Sequence, residues 1–271
     1  MPKKPTVSHK LRVRSNLGKY RIESCLNEGP YSNVYRANDT IEGRRVALKI
    51  PHAHLADEEF LQGFRSEVRL SAKIKHPRIL EIKDASFING LLVMVYPLGT
   101  ECLSSRLARR MSADHLALFM DQALEAIAEI HRRKIIHCDI KPDNFIIFPG
   151  PELRLADLGI ARMGFRTIRG SGSGTLGHMS PEQALGRPSS RSDVFAMGLI
   201  FCRMLSGKYP EYPFKWPPPA FHKIRQKATP GLIEIIRKCL QVTPTKRFKD
   251  GVALYQAFKK IRGNPLRTKA K

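Results

Sequence analysis

Acidic residues are scarce in this chain, and both of its ends lack them entirely. Nothing acidic precedes Glu23 and nothing acidic follows Asp250; 47 Lys and Arg stand against 24 Asp and Glu, a formal charge of +23. The ends hold Lys3, Lys4, Lys10, Arg12, Arg14 and Lys19, then Lys259, Lys260, Arg262, Arg267, Lys269 and Lys271. Such a field attracts polyanions, whether nucleic acid, an anionic membrane face or an acidic protein. Solvated tails that only aid solubility are the plainer reading. No run approaches eighteen apolar residues, which excludes a transmembrane helix. The basic start is not followed by an apolar stretch, so no secretory signal is expected. Five cysteines, an odd number without C-x-x-C spacing, fit reduced thiols in a cytoplasmic protein. No internal repeat is visible. A 42% hydrophobic content over 271 residues suffices for one substantial core or two small ones.

What is present is a set of groups suited to handling phosphate. His137-Cys138-Asp139-Ile140-Lys141-Pro142-Asp143-Asn144 puts a carboxylate, a lysine two residues on and an asparagine five residues on within one short connection. Phosphoryl transfer needs those types: a base for the hydroxyl proton, a cation for the moving phosphate and an oxygen ligand for Mg²⁺. Upstream, Val46-Ala47-Leu48-Lys49 reads as an apolar strand ending in a lysine, with Glu67 eighteen residues later. Read alone, Lys49 and Glu67 make a surface ion pair. Leu26-Asn27-Glu28-Gly29-Pro30-Tyr31-Ser32-Asn33-Val34-Tyr35 reads as strand, turn, strand. Downstream stand Asp157-Leu158-Gly159, Gly174-Thr175-Leu176-Gly177-His178-Met179-Ser180-Pro181-Glu182-Gln183, and Ser192-Asp193-Val194-Phe195-Ala196-Met197-Gly198.

Taken together and in this order, across roughly residues 20 to 260, these segments resemble the eukaryotic-like, bacterial-type serine/threonine protein kinases. Cys138 stands where most members carry arginine. The resemblance implies an α+β, bilobal protein-kinase fold: a small β-rich N-lobe with one helix, and a larger, mainly helical C-lobe. It implies ATP and Mg²⁺ as cofactors, Asp139 and Lys141 as catalytic residues, and Asn144 and Asp157 as metal ligands. Lys49, held by Glu67, would bind the α- and β-phosphates, with Leu26, Gly29, Val34, Ala47, Met94, Val95 and Ile146 completing the nucleotide site. Met94 would border the adenine and Val95 would offer it backbone groups. Thr175 would link the substrate loop to the catalytic loop, Glu182 would pair with Arg247, and Asp193 would brace the catalytic-loop backbone. Only the middle glycine of the phosphate loop, Gly29, is kept; Asn27 and Ser32 replace the outer two, and Pro30 removes a backbone donor.

The organisation expected is a basic extension over 1–19, a kinase domain over 20–262 and a basic tail over 263–271. Within the domain the N-lobe spans about 20–95, the hinge 96–99 and the C-lobe 100–262. A helix is expected from Asp57 to about Lys75, ended by His76-Pro77. Ser112 is placed to cap a helix bearing Leu116, Phe119, Met120, Ala123, Ile127 and Ile130 at helical spacing. Val194 to Leu205, apolar on nearly every face, reads as a buried central helix.

The expected function is transfer of the ATP γ-phosphate to a protein serine or threonine, with a separate regulator or phosphatase as further partner and nucleic acid or another polyanion on the basic ends. Two rivals differ in class. A small-molecule phosphotransferase of the aminoglycoside type lacks the Ser-Pro-Glu segment and the Asp193 signature. An inactive binding module accords with the eroded glycine loop, but not with the retention of Lys49, Glu67, Asp139, Lys141, Asn144 and Asp157.

Overall fold

The computed structural model describes residues 10–29, 31–52, 58–158, 179–261 and 263–267. Two compact units emerge: Met1–His76 with Leu80–Gly99, and Pro77–Ile79 with Thr100–Lys271. No described helix is long and apolar enough to cross a membrane.

The first unit is an antiparallel sheet of β1 (Asn16–Leu17), β2 (Tyr20–Glu28), β3 (Ser32–Asp39), β4 (Arg44–Pro51), β5 (Asp84–Ile88) and β6 (Leu91–Pro97), in the order β1-β2-β3-β4-β6-β5. Among the described residues one helix, α1 (Glu58–Ala72), separates β4 from β5. Period-2 alternation makes this sheet two-faced. Tyr35, Ala37, Val46, Leu48, Ile50, Val93 and Val95 join Leu17, Tyr20 and Ile22 in one buried cluster. The register Val34↔Lys49↔Met94 puts those three side chains in a row on the opposite face. Asn89 and Gly90, both at positive φ (51° and 76°), make the two-residue turn that matches strand twist between β5 and β6. Residues 10–19, expected to be an extension, instead belong to this unit: β1 pairs with β2, Leu17 is buried, and the Leu11 N–H donates to the Tyr35 hydroxyl at 3.1 Å. Helix α1 ends three residues earlier than expected. The chain tightens there through Lys73 N–H to Leu70 and Ile74 N–H to Ser71 carbonyl bonds, before Pro77 disfavours helix at His76.

The second unit opens with β7 (Glu101–Cys102) and α2 (Leu103–Leu107), then α3 (Ala113–Arg132). Ser112 caps α3 by accepting the His115 N–H, and the expected apolar stripe of α3 is buried. A 3₁₀ turn (Pro142–Asn144) leads into the hairpin β8 (Phe145–Phe148) and β9 (Glu152–Leu155), which with β7 forms a three-stranded sheet. The remaining α-helices among the described residues are α4 (Pro181–Ala184), α5 (Ser190–Ser206), α6 (Phe221–Lys227), α7 (Pro230–Cys239) and α8 (Gly251–Lys259). Helix α5 is buried from Ser192 to Cys202 without interruption and ends at Gly207 in the left-handed region, φ 79°. It packs on α7, while α3 packs on α8 and β9. The expected C-terminal tail is corrected for residues 263–267: Leu266 is buried and bridges to Ala228, and Arg267 donates to the Ala228 carbonyl at 3.1 Å.

Close approach of α5 and α7 depends on Gly198, where an added Cβ would lie 2.8 Å from Cys239 Cβ and 3.0 Å from Leu240 Cδ2. Gly198→Val should therefore destabilise the second unit by about 1–3 kcal/mol through overpacking, a fall of several degrees in its unfolding midpoint. Calorimetry checks this; an unchanged midpoint would mean the helices separate freely.

Candidate active site

The connection between α3 and the 3₁₀ turn carries Asp139, and its backbone is held chiefly by the carboxylate of Asp193. Asp193 sits in the first turn of α5, where helix N–H dipoles favour a negative charge. It is 1% exposed. Its Oδ2 accepts the His137 N–H (2.7 Å) and the His131 Nε2–H (2.9 Å), and its Oδ1 accepts the Cys138 N–H (2.9 Å). The His131 tautomer follows from its other nitrogen, which accepts the Gly251 N–H at 2.6 Å. The ring therefore bridges the start of α8 to Asp193. A side chain at position 251 would meet Ile127 Cγ2 at 2.5 Å, so only glycine allows this approach.

His137 makes a second bridge. Its Nδ1 accepts the Asp139 N–H (3.3 Å) and its Nε2–H donates to the Ala156 carbonyl (3.0 Å). The Ala156 N–H in turn donates to the Asn144 carbonyl at 2.7 Å. Both backbone groups of Ala156 are thus engaged, which fixes the chain just before Asp157, itself at φ 67°. Within the loop, Asp139 Oδ2 lies 2.7 Å from Lys141 Nζ and accepts from Asn144 Nδ2 at 3.0 Å. That same amide nitrogen also donates to the Asp139 carbonyl at 2.8 Å, so both bonds of the Asn144 side chain to Asp139 come from Nδ2 and not from Oδ1. Asp139, Lys141 and Asn144 are brought together; Ile146 follows on β8, half-buried.

Arg247 and Glu182 meet through a two-pronged contact of 2.7 and 3.0 Å. The guanidinium is fully buried and also donates to the carbonyls of Arg191, Gln241 and Val242. Burial pushes the Glu182 carboxyl up, but hydrogen bonds from Arg247 and the Ser192 hydroxyl outweigh it and hold the group below its ordinary range. The next residue, Gln183, is buried and donates from Nε2 to the Cys138 carbonyl at 2.5 Å. Cys138 has φ 64°, left-handed and costly for a residue with a Cβ. Asp193 on its N–H and Gln183 on its carbonyl hold it there. Burial, with Asp193 and Asp139 nearby, pushes the Cys138 thiol up to about 12.

In the first unit, Lys49 Nζ lies 5.7 Å from the centre of the Phe64 ring. Glu67 belongs to α1, but its side chain lies outside the described residues, as does all of Thr175. Val34 and Met94 flank Lys49 in register, and Ala47 shares its face two residues away. Met94 is fully buried, whereas Leu26 on β2 is 49% exposed. The Val95 side chain is part of the buried cluster on the face away from Lys49, and its carbonyl accepts the Lys83 N–H at 2.8 Å. Gly29 donates its N–H to the Ser32 carbonyl, closing the strand–turn–strand.

Three positions of this arrangement were not singled out from sequence. His131 extends the buried stripe of α3, and a histidine at a core position is a signal that could have been read. Gln183 gives no local signal, because its partner is 45 residues away. His52, just after β4, donates from its backbone to the Tyr31 carbonyl (3.0 Å), and its Nε2 meets the Gly29 carbonyl at 2.8 Å. It clasps the turn that lost its outer glycines.

Replacing Arg247 with methionine should cost about 3 kcal/mol near neutral pH, since it strands a partly buried carboxylate and several carbonyls. Glu182 has a depressed folded pKa, so its contribution is present above the usual 4.5 and is lost as pH falls through the lower folded value. The wild-type advantage in denaturant titrations should therefore shrink from pH 6 to about pH 3; a constant difference would place the stabilisation elsewhere. Because only a thiolate alkylates readily, iodoacetamide at pH 8 should leave Cys138 unlabelled in the native protein and label it after unfolding. Mass spectrometry reads the difference, and rapid native labelling would contradict the protonated thiol.

A family model described as the protein kinase domain matches residues 20–258. The serine/threonine-protein kinase PknA of Mycobacterium tuberculosis is 32% identical over 269 residues, covering 90% of this chain and 62% of that protein. PrkC of Bacillus subtilis, also a serine/threonine-protein kinase, is 34% identical over 201 residues, 71% of this chain and 31% of its own. This chain thus spans less than two thirds of the length of either relative. In fold it is similar to the crystal structure of the Mycobacterium tuberculosis PknI kinase domain, with a TM-score of 0.71 and 21% identity over 93% of this chain and 99% of that one. A β-rich unit with one helix, a mainly helical unit carrying Asp139, Lys141 and Asn144 on one connection, and the match over residues 20–258 agree: the chain belongs to the protein kinase domain family.

Proposed function

We propose that this chain is a serine/threonine protein kinase that transfers the γ-phosphate of ATP to a hydroxyl of a protein substrate. The observation that carries the reading is Asp139 Oδ2 held between Lys141 Nζ at 2.7 Å and Asn144 Nδ2 at 3.0 Å. Held this way, Asp139 turns its other oxygen to the substrate hydroxyl, orients it and takes its proton as the bond to phosphorus forms. Lys141 is near enough to the same carboxylate to neutralise charge on the moving phosphoryl group. Lys49, set by Glu67, binds the α- and β-phosphates, and Gly29 lets backbone approach them. Leu26, Val34, Ala47, Met94 and Ile146 supply apolar surface to the base. Thr175 links the substrate segment to the loop.

Mg²⁺ bound with ATP would neutralise phosphate charge, and Asn144 Oδ1 with the Asp157 carboxylate would hold it. One carboxylate and one amide oxygen suit that ion, which keeps waters and phosphate oxygens in its shell. No cluster of three His, Cys, Asp or Glu that would make a closed protein cage exists among the described residues.

A cytoplasmic setting, a separate regulator or phosphatase, and polyanion binding by the basic ends complete the proposal. Since residues 10–19 and 263–267 are packed, the last point is tested by reversing Lys3, Lys4, Lys269 and Lys271 rather than by truncation. Cys138 cannot make the charged contact to a phosphorylated segment that an arginine makes there, so activation through that contact is not expected.

Lys49→Met and Asp157→Ala should each lower turnover on a serine- or threonine-containing protein by several orders of magnitude while the fold persists. Labelled ATP with Mg²⁺ provides the assay. Retention of more than about a tenth of the wild-type rate would correspond to a barrier change under roughly 1.4 kcal/mol and would sink the assignment. Wild type and variants equally inert would favour the inactive binding module.

A further inference from the structure

A groove in the second unit lies apart from the catalytic loop and shares no residue with it. It encloses about 240 Å³ between the connection that follows α5 and the end of α7. Phe214, Trp216, Leu240 and Val242 supply its apolar surface, and Lys215, Arg237 and Lys246 stand around it. No acidic side chain lines it. Lys215 and Lys246 are exposed and have no carboxylate partner among the described residues; Arg237 has only a loose one, Glu234 at 3.7 Å. Val242 is 51% exposed, and Tyr212 beside the groove is 82% exposed.

The surrounding field has one sign. From Lys208 to Arg267 the sequence holds 14 Lys and Arg against three acidic residues, Glu211, Glu234 and Asp250. One of those cations, Arg247, is buried and neutralised by Glu182; most of the others face solvent. Three cations around an apolar floor, with no internal counter-charge, are complementary to carboxylates flanking an apolar group.

The groove's shape and its rings decide what kind of acidic chain fits. A cavity of 240 Å³ is below the usual range for a whole small-molecule ligand of about 300–1,000 Å³, and suits one side chain. Strands of nucleic acid stack bases on open aromatic faces. Here Phe214 is locked edge-to-face with both Phe195 (5.0 Å, 83°) and Tyr212 (6.0 Å, 88°), and Trp216 packs at 68° on Phe221. The other wall, Leu240 and Val242, is aliphatic. That wall is also firm, because buried Arg247 holds the Gln241 and Val242 carbonyls at 2.6 and 3.0 Å.

We infer that this groove is a docking site for an acidic linear segment of a partner protein, which seats one apolar side chain on Trp216 and Leu240 and sets its carboxylates on Lys215, Arg237 and Lys246. The site stands apart from the phosphoryl-transfer reading, and its test needs no nucleotide. Trp216 is the only tryptophan in the chain, so its emission reports on this groove alone.

The full chain is titrated with the synthetic hexapeptide Glu-Asp-Leu-Glu-Asp-Glu at low salt while Trp216 fluorescence is followed. A saturable change is expected, weakened at 0.5 M salt because exposed charges are screened. Replacing the peptide's leucine by glycine should weaken binding about fivefold, by loss of buried apolar surface. Arg237→Glu with Lys246→Glu should weaken it at least tenfold, while Lys73→Glu with Lys75→Glu, the same charge change in the first unit, should leave it within about threefold. Emission that does not respond, equal losses in the two double variants, or indifference to the leucine would each overturn the proposal. A single-stranded oligonucleotide of equal charge that perturbs Trp216 at lower concentration than the peptide would overturn it in favour of nucleic acid.

Discussion

One buried carboxylate organises the second unit. Asp193 receives two consecutive backbone N–H groups of the loop that carries Asp139, and a histidine that is itself fixed by the start of α8. An isolated charge at 1% exposure would be prohibitive. Three donors and the N-terminal turn of α5 make it tenable. The requirement runs both ways: the carboxylate needs those N–H groups, and satisfying it forces the loop into a single shape. Cys138 at φ 64° is the local strain that this shape carries.

Position then propagates outward by hydrogen bonds rather than by apolar packing. His137 joins the loop to the end of β9 through Ala156, and Ala156 joins it to Asn144, so the two proposed oxygen ligands are set by one short backbone relay. Gln183 joins the same loop to α4, where the adjacent Glu182 is gripped by Arg247. Arg247 reaches in the other direction to the wall of the tryptophan groove. A single buried guanidinium thus sits between the segment beside the loop and a groove ringed by Lys215, Arg237 and Lys246.

Much of this was legible in the sequence because the chemistry is local there. Asp139, Lys141 and Asn144 lie within six residues, and a 3₁₀ turn starting at Pro142 necessarily folds them onto one another. The α3 stripe and the uniformly apolar α5 announce themselves by periodicity. Arg247 was reachable only through the family pattern, since nothing near it in sequence names Glu182 as partner. Gln183 and His52 were missed for the same reason: each acts on a backbone carbonyl, and a carbonyl leaves no residue type to read. Residues 10–19 and 263–267 read as extension and tail because their charge masked Leu11, Leu17 and Leu266, apolar residues that pack them onto their units.

The central claim is that the Asp193 carboxylate holds the loop. It is tested most directly by native-state hydrogen exchange at the amides of His137 and Cys138, comparing wild type with Asp193→Asn. The amide side chain keeps the shape but gives up one acceptor and brings a donor against the backbone N–H groups. The account predicts strong protection of both amides in the wild type and a loss of at least tenfold in the variant, with amides in the middle of α5 unchanged. Equal protection at His137 and Cys138 in the two proteins would contradict it.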